Sequence, residues 1–112
     1  MTMALGFAAL AVAGTLARAL TVSRFNRPDF PFGTLGVNVA GSFLLGLMSD
    51  ASPEALTLLG LAGLGSFTTF STFAHESVLM VEERRVARAC AYLTATVLAG
   101  VAAAALGIQL SP

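Results

Sequence analysis

Charge is scarce in this sequence: only 11% of its 112 residues are Asp, Glu, Lys or Arg, against about a quarter in a typical soluble domain. Tryptophan and lysine are absent, and there is one tyrosine and one cysteine. A lone cysteine, Cys90, excludes an intrachain disulfide and any metal site built on paired cysteines; it reads as a packing residue. There is no Cys/His pair, no Gly-x-Ser-x-Gly turn and no phosphate loop, so no catalytic constellation is present and the chain does not read as an enzyme. With a net charge of zero, nucleic-acid binding is also unsupported. No repeat of 20–50 residues and no low-complexity tract occurs.

What remains is apolar. Hydrophobic residues make up 56% of the chain and mean hydropathy is +0.84, which places it in the membrane class. A helical span needs about 20 mostly apolar residues. Spans are expected at 3–22, 32–49, 54–81 and 87–109, giving an all-α integral membrane protein with one four-helix transmembrane domain over 1–112. The first span lacks a basic start, and its one cation, Arg18, follows the apolar run. It is therefore expected to be a retained helix and not a cleaved signal peptide.

The few charges are asymmetrically placed. All six basic residues, Arg18, Arg24, Arg27, Arg84, Arg85 and Arg88, fall in or beside the loops after the first and third spans. The N-terminus, the turn at 50–54 and the C-terminus have none. The positive-inside rule then puts those two loops in the cytoplasm and both termini outside it, in a plasma (inner) membrane. The loop 82–88 is expected to carry helical turns out of the membrane. The short turn at 49–53, with Ser52 as N-cap and Pro53 after it, favours pairing of the second and third helices.

Polarity sits where lipid should be. GSFTTFSTF, Gly65–Phe73, carries hydroxyls on Ser66, Thr68, Thr69, Ser71 and Thr72, and follows Gly60 and Gly63. Glycine and threonine weaken a helix. A break in lipid is tolerated only where it is buried or lines a water-filled path; the alternative is a continuous helix whose hydroxyls bond back to carbonyls one turn earlier. Phe67, Phe70 and Phe73 drift slowly around one face and serve either as a packing stripe or as electropositive ring edges facing an anion. Thr34, Asn38 and Ser42 form a polar line on the second span, and Asn38, mid-segment, is either interhelical glue or functional. Tyr92, Thr96 and Gly100 share the same four-residue period on the fourth span. Tyr92, near the membrane edge, reads first as an interfacial anchor. Glu76 extends the face of Phe70 and Phe73, as a proton carrier, an ion partner or a boundary carboxylate. His75 reads as structural. Arg18 either snorkels to the interface or gathers anions at a pore mouth.

Two stretches, FGTLGVNVAGSFLLG (Phe32–Gly46) and GSFTTFSTF followed by Glu76, resemble the small bacterial fluoride channels (Fluc, also called CrcB). The likeness covers essentially the whole chain and is weakest in the first span. There Gly14 and Arg18 fit, but Ala19 stands where an aromatic is usual, and Leu10 and Ala11 replace a glycine pair. The resemblance implies an antiparallel dimer of four-helix subunits with a break in the third helix near 65–72. It implies a sodium ion held at the dimer interface by backbone carbonyls of Gly65 and Thr68. Phe70 and Phe73 would line the fluoride path, Asn38 would donate its amide, and Ser71, Thr72, Tyr92 and Thr96 would supply hydroxyls. Arg18 would stand at the vestibule and Glu76 near a pore end.

Fluoride is small and strongly hydrated, so a path must return hydrogen bonds at each step, without a fixed cation that would trap the ion. The expected function is passive, fluoride-selective export. The rivals are a small proton-coupled multidrug exporter, which wants an acid in the first span and an aromatic cage, and a structural or holin-like subunit, which needs no polar lines. An antiparallel homodimer inserts one chain both ways and calls for balanced loop charge. The arginine bias favours a related subunit of opposite orientation over a second copy.

Overall fold

The computed structural model describes all 112 residues, Met1–Pro112. The chain is entirely helical: α1 (Thr2–Phe25), α2 (Phe32–Leu47), α3 (residues 53–67), α4 (Phe70–Glu82) and α5 (Val86–Leu110). α3 and α4 are two halves of one interrupted span, Pro53–Glu82. That span, α1 and α5 are each long and apolar enough to cross a membrane. α2 is shorter, at 16 residues, or about 24 Å of helix against a hydrocarbon layer of about 30 Å.

The molecule is 48 Å along its longest axis, comparable with the roughly 40–45 Å of a bilayer including headgroups. Only 14 of the 112 residues are buried, so most apolar side chains face outward, toward lipid or another chain. Outward apolar surface on this scale has no place in water: the chain is a multi-pass membrane protein.

Local chemistry sets the ends of the helices. Ser52 Oγ accepts the Ala55 amide at 3.2 Å and Pro53 opens the first turn of α3, a polar cap with a pre-set φ behind it. From Leu56 to Leu64 the helix is wound more widely, with π-type bonding in which the Gly65 amide reaches Gly60 O, before α geometry returns at Gly65–Phe67. π winding normally occurs as single turns near functional sites; here it runs for nine residues and ends one short α-helical segment before the interruption. α4 ends in two reversed bonds, from the Arg84 amide to Val81 O at 3.0 Å and from the Arg85 amide to Met80 O at 2.7 Å. Arg84 sits at φ 62°, the left-handed residue that such a terminus requires. The expectation of helical turns through 82–88 holds at its two ends, Glu82 and Val86–Arg88, and is corrected between them, where the chain reverses within Glu83–Arg85.

Helix pairing also departs from expectation. α2 packs chiefly against α5, and α3 against α1, in place of the α2–α3 pair suggested by their short connection. Small residues decide this, because they let backbones touch. Gly46 lies against the Ala104 backbone, and Gly107 against the backbone of Phe43, Gly46 and Leu47. Gly14 of α1 faces the Gly63 carbonyl and the Phe67 amide. Cys90 is exposed, not packed; Ala89 and Tyr92, three residues apart, take the buried positions on another face of α5.

Candidate functional site

The interruption between α3 and α4 is two residues long. Thr68 (φ −78°, ψ 162°) and Thr69 (φ −150°, ψ 118°) are extended. A break inside a membrane leaves backbone donors and acceptors without helical partners. The Asn38 side chain, from α2, satisfies both groups of Thr69: Oδ1 accepts the Thr69 amide at 2.8 Å, and Nδ2 donates to the Thr69 carbonyl at 3.1 Å. Thr69 Oγ1 then accepts the Thr72 amide at 3.0 Å and caps α4. Thr68 Oγ1 bonds back to Leu64 O at 3.0 Å. Back-bonding and a break, alternatives in the sequence, coexist. A further consequence concerns Gly65. The amide that would close an α-turn on its carbonyl belongs to Thr69 and is given to Asn38 instead.

The break opens on a groove of about 590 Å³ whose lining includes Asn38, Ser42, Thr68, Phe70, Phe73 and Thr96. Ser42 Oγ donates to Asn38 O at 2.8 Å. Thr96 Oγ1 is buried and has no hydrogen-bond partner, which leaves a donor free for an ion or water in the groove. Phe70 is 80% exposed at the break, and its ring stands 6.1 Å from that of Phe73 at 55°.

Polarity continues beyond Phe73. Its ring lies 5.1 Å from that of Tyr92, which also meets Phe30 edge-on at 5.5 Å and 81°. Tyr92 is fully buried, so the reading of an interfacial anchor is corrected: rings from the α1–α2 connector and from α4 enclose it. Its hydroxyl donates to Glu76 Oε1 at 2.9 Å. Thr34, also fully buried, donates its hydroxyl to Glu76 Oε2 at 3.1 Å, and Asn26 Nδ2 donates to the same oxygen at 2.8 Å. Beyond this cluster lies a second cavity of about 130 Å³, with Asn26 and Glu76 in its wall and Arg27, Arg85 and Arg88 around it. A file of donors therefore runs from the groove, past Phe73 and Tyr92, to a cavity at the arginine-rich end.

Not every expected residue joins this file. Asn38, Phe70, Phe73 and Thr96 meet in the groove, together with Gly65 and Thr68. Tyr92 and Glu76 stand in the adjoining cluster. Ser71 is exposed outside the groove lining, Thr72 is half-buried and contributes its backbone amide, and Arg18 is half-buried on α1, in the wall of neither cavity. Asn26 had no functional reading in the sequence. The one local signal was an amide residue directly after the first helix, ahead of two prolines.

Three long apolar spans and one shorter one, with the third span broken where a half-buried amide takes up its backbone and opening on a groove that holds the Ser42, Thr68, Thr69 and Thr96 side chains, define a small helical membrane protein. The profile of the "CrcB-like protein, Camphor Resistance (CrcB)" family matches residues 5–108, and the chain belongs to that family. It is 50% identical over 101 residues to the "Fluoride-specific ion channel FluC" of Anaeromyxobacter dehalogenans (strain 2CP-1 / ATCC BAA-258), across 81% of this chain and 80% of that one. It is 50% identical over 99 residues to "Fluoride-specific ion channel FluC 1" of Geobacillus kaustophilus (strain HTA426), across 84% of each. A "Fluoride-specific ion channel FluC 1" of Nitrobacter hamburgensis (strain DSM 10229 / NCIMB 13809 / X14) is 39% identical, across 97% of this chain and 94% of its own.

Proposed function

We propose that this chain is a subunit of a fluoride-selective channel that lets cytoplasmic fluoride leave passively across the plasma membrane. The observation that carries this reading is the file of neutral donors from Thr96 and Asn38 to Tyr92 and Thr34. Hydroxyls and an amide can replace an anion's hydration without binding it too tightly to release. Ring edges at Phe70 and Phe73 offer positive rims between them. The protein is not an enzyme: it does no chemistry on the ion.

The functional unit in this reading is an antiparallel dimer. Phe70 and the groove are open on a single chain, and a second subunit would close them. Arg27, Arg85 and Arg88 gather around one cavity at one end of the chain. At the other, the Ser49 and Ser111 hydroxyls meet at 3.3 Å with no arginine near them in sequence. This polarity supports a fixed orientation, with both termini outside the cytoplasm and a related partner of opposite bias. The break also suits a sodium ion shared between subunits. The Gly65 carbonyl is released from its helical partner, Thr68 lies in extended backbone beside it, and carbonyl oxygens suit a hard cation. Such an ion, set back from the file of donors, would add a favourable field for a nearby anion without binding it directly.

The test is fluoride efflux from liposomes holding the purified chain, alone and with its candidate partner. Fluoride should leave without a proton gradient while chloride stays; tight vesicles, or efflux only when protons are coupled to it, would defeat the channel reading. Orientation is tested by a C-terminal tag probed from both sides of the native membrane. The tag should label only from outside the cytoplasm, and equal labelling would mean that one chain inserts both ways.

A further inference from the structure

Asn26 lies one residue past α1, where its own amide caps the helix by bonding Val22 O. Its side chain turns inward and works at both ends. Oδ1 accepts the Thr34 amide at 3.0 Å, in the first turn of α2. Nδ2 makes the shortest of the three bonds that hold Glu76, at 2.8 Å to Oε2, and stands 3.3 Å from Thr34 Oγ1.

The three donors on the Glu76 carboxylate are not equivalent. Those of Thr34 and Tyr92 are hydroxyls, whose protons swing about the C–O bond. Either can leave the carboxylate and turn to a passing anion. The Asn26 amide is planar, and its oxygen end is pinned to the Thr34 backbone. Its N–H cannot swing away without breaking that second bond. Asn26 is also the only one of the three donors in the wall of the cavity ringed by Arg27, Arg85 and Arg88. Arg27, Arg85 and Arg88 share that cavity wall with Glu76, so an unheld carboxylate has cations to turn toward, in competition with Asp29 and Glu83, which also face the cavity.

We propose that Asn26 is a positioning residue for ion passage: it tethers Glu76 while the hydroxyls of Thr34 and Tyr92 exchange from the carboxylate to the ion. Without the tether, the carboxylate either keeps both hydroxyls or swings into the cavity and closes the mouth. The inference rests on the fluoride-channel reading above.

Asn26→Asp separates the two halves of the side chain. It keeps the oxygen that caps α2 and turns the donor facing Glu76 into an acceptor. Asn26→Thr is neutral, keeps an oxygen near the helix and is too short to hold Glu76. Both are measured in proteoliposomes beside the parent, with folding checked by gel filtration and thermal melting. The tether requires efflux to fall about tenfold or more in whichever variant folds. It also requires the reversed pair Asn26→Asp with Glu76→Gln, where the amide sits on the other partner, to conduct better than Asn26→Asp alone. A folded variant with parental efflux would reduce Asn26 to a helix cap and overturn the proposal. So would a reversed pair no better than Asn26→Asp. A parent chain that passes no fluoride would instead defeat the channel reading itself.

Discussion

Replacing Asn38 with alanine is expected to stop fluoride efflux and to destabilise the protein by several kcal/mol. The reason is what the amide holds. An interhelical side-chain hydrogen bond in a membrane contributes only about 0.6 kcal/mol on average, and about 1.7 at most. Asn38 instead satisfies the amide and the carbonyl of Thr69 together, and a buried backbone group left without a partner costs about 1–3 kcal/mol. Two such groups give about 2–6 kcal/mol, enough to distinguish the roles. Thermal unfolding in detergent and efflux from liposomes check both parts. Asn38→Asp keeps the acceptor for the Thr69 amide and loses the donor to its carbonyl, so it should fall between parent and alanine in stability while still losing efflux. An alanine variant as stable as the parent would mean that the break is held by something else.

Asn38 also shows where sequence reasoning stops. Fold class was legible because it depends on composition: charge is kept out of long apolar runs, and nothing distant alters that. The weakness of the third span was legible in Gly60, Gly63, Gly65 and the hydroxyls that follow. Its outcome was not, because the partner that makes a break affordable in lipid lies 31 residues away on another helix. Tyr92 misled for a similar reason. Its position near a span end suggests the interface, but Phe30 and Phe73, from two other elements, bury it. Asn26 resembles an ordinary polar residue in a proline-bearing connector, and only the fold brings Thr34 and Glu76 within reach of both its ends. Helix pairing does not follow the short connection, because chain adjacency is a weak constraint beside a glycine face. Gly46 and Gly107 are 61 residues apart by their numbers, yet their backbones touch.

That contact carries the second large effect. Gly107→Val is expected to unfold the protein or to separate α2 from α5, with complete loss of efflux. A Cβ at Gly107 would meet the Phe43 carbonyl, the Leu47 amide at 2.9 Å and the Gly46 carbonyl carbon at 3.1 Å. These are backbone atoms of a helix, and they cannot turn aside as a side chain can. Inserting bulk into a packed core generally costs about 1–3 kcal/mol, and more where nothing can move. The functional damage should exceed the loss of stability, since the proposed ion route is divided between these two helices: Thr34, Asn38 and Ser42 stand on α2, Tyr92 and Thr96 on α5. Gly36→Ala is the informative contrast. It lies on α2 as well, but a Cβ there meets nothing within 4 Å, and alanine favours a helix over glycine by about 1 kcal/mol. On the isolated chain this change should be neutral or stabilising, by gel filtration and thermal melting in detergent. If Gly107→Val assembled and conducted like the parent, close backbone contact between α2 and α5 would not be what aligns the two halves of the route.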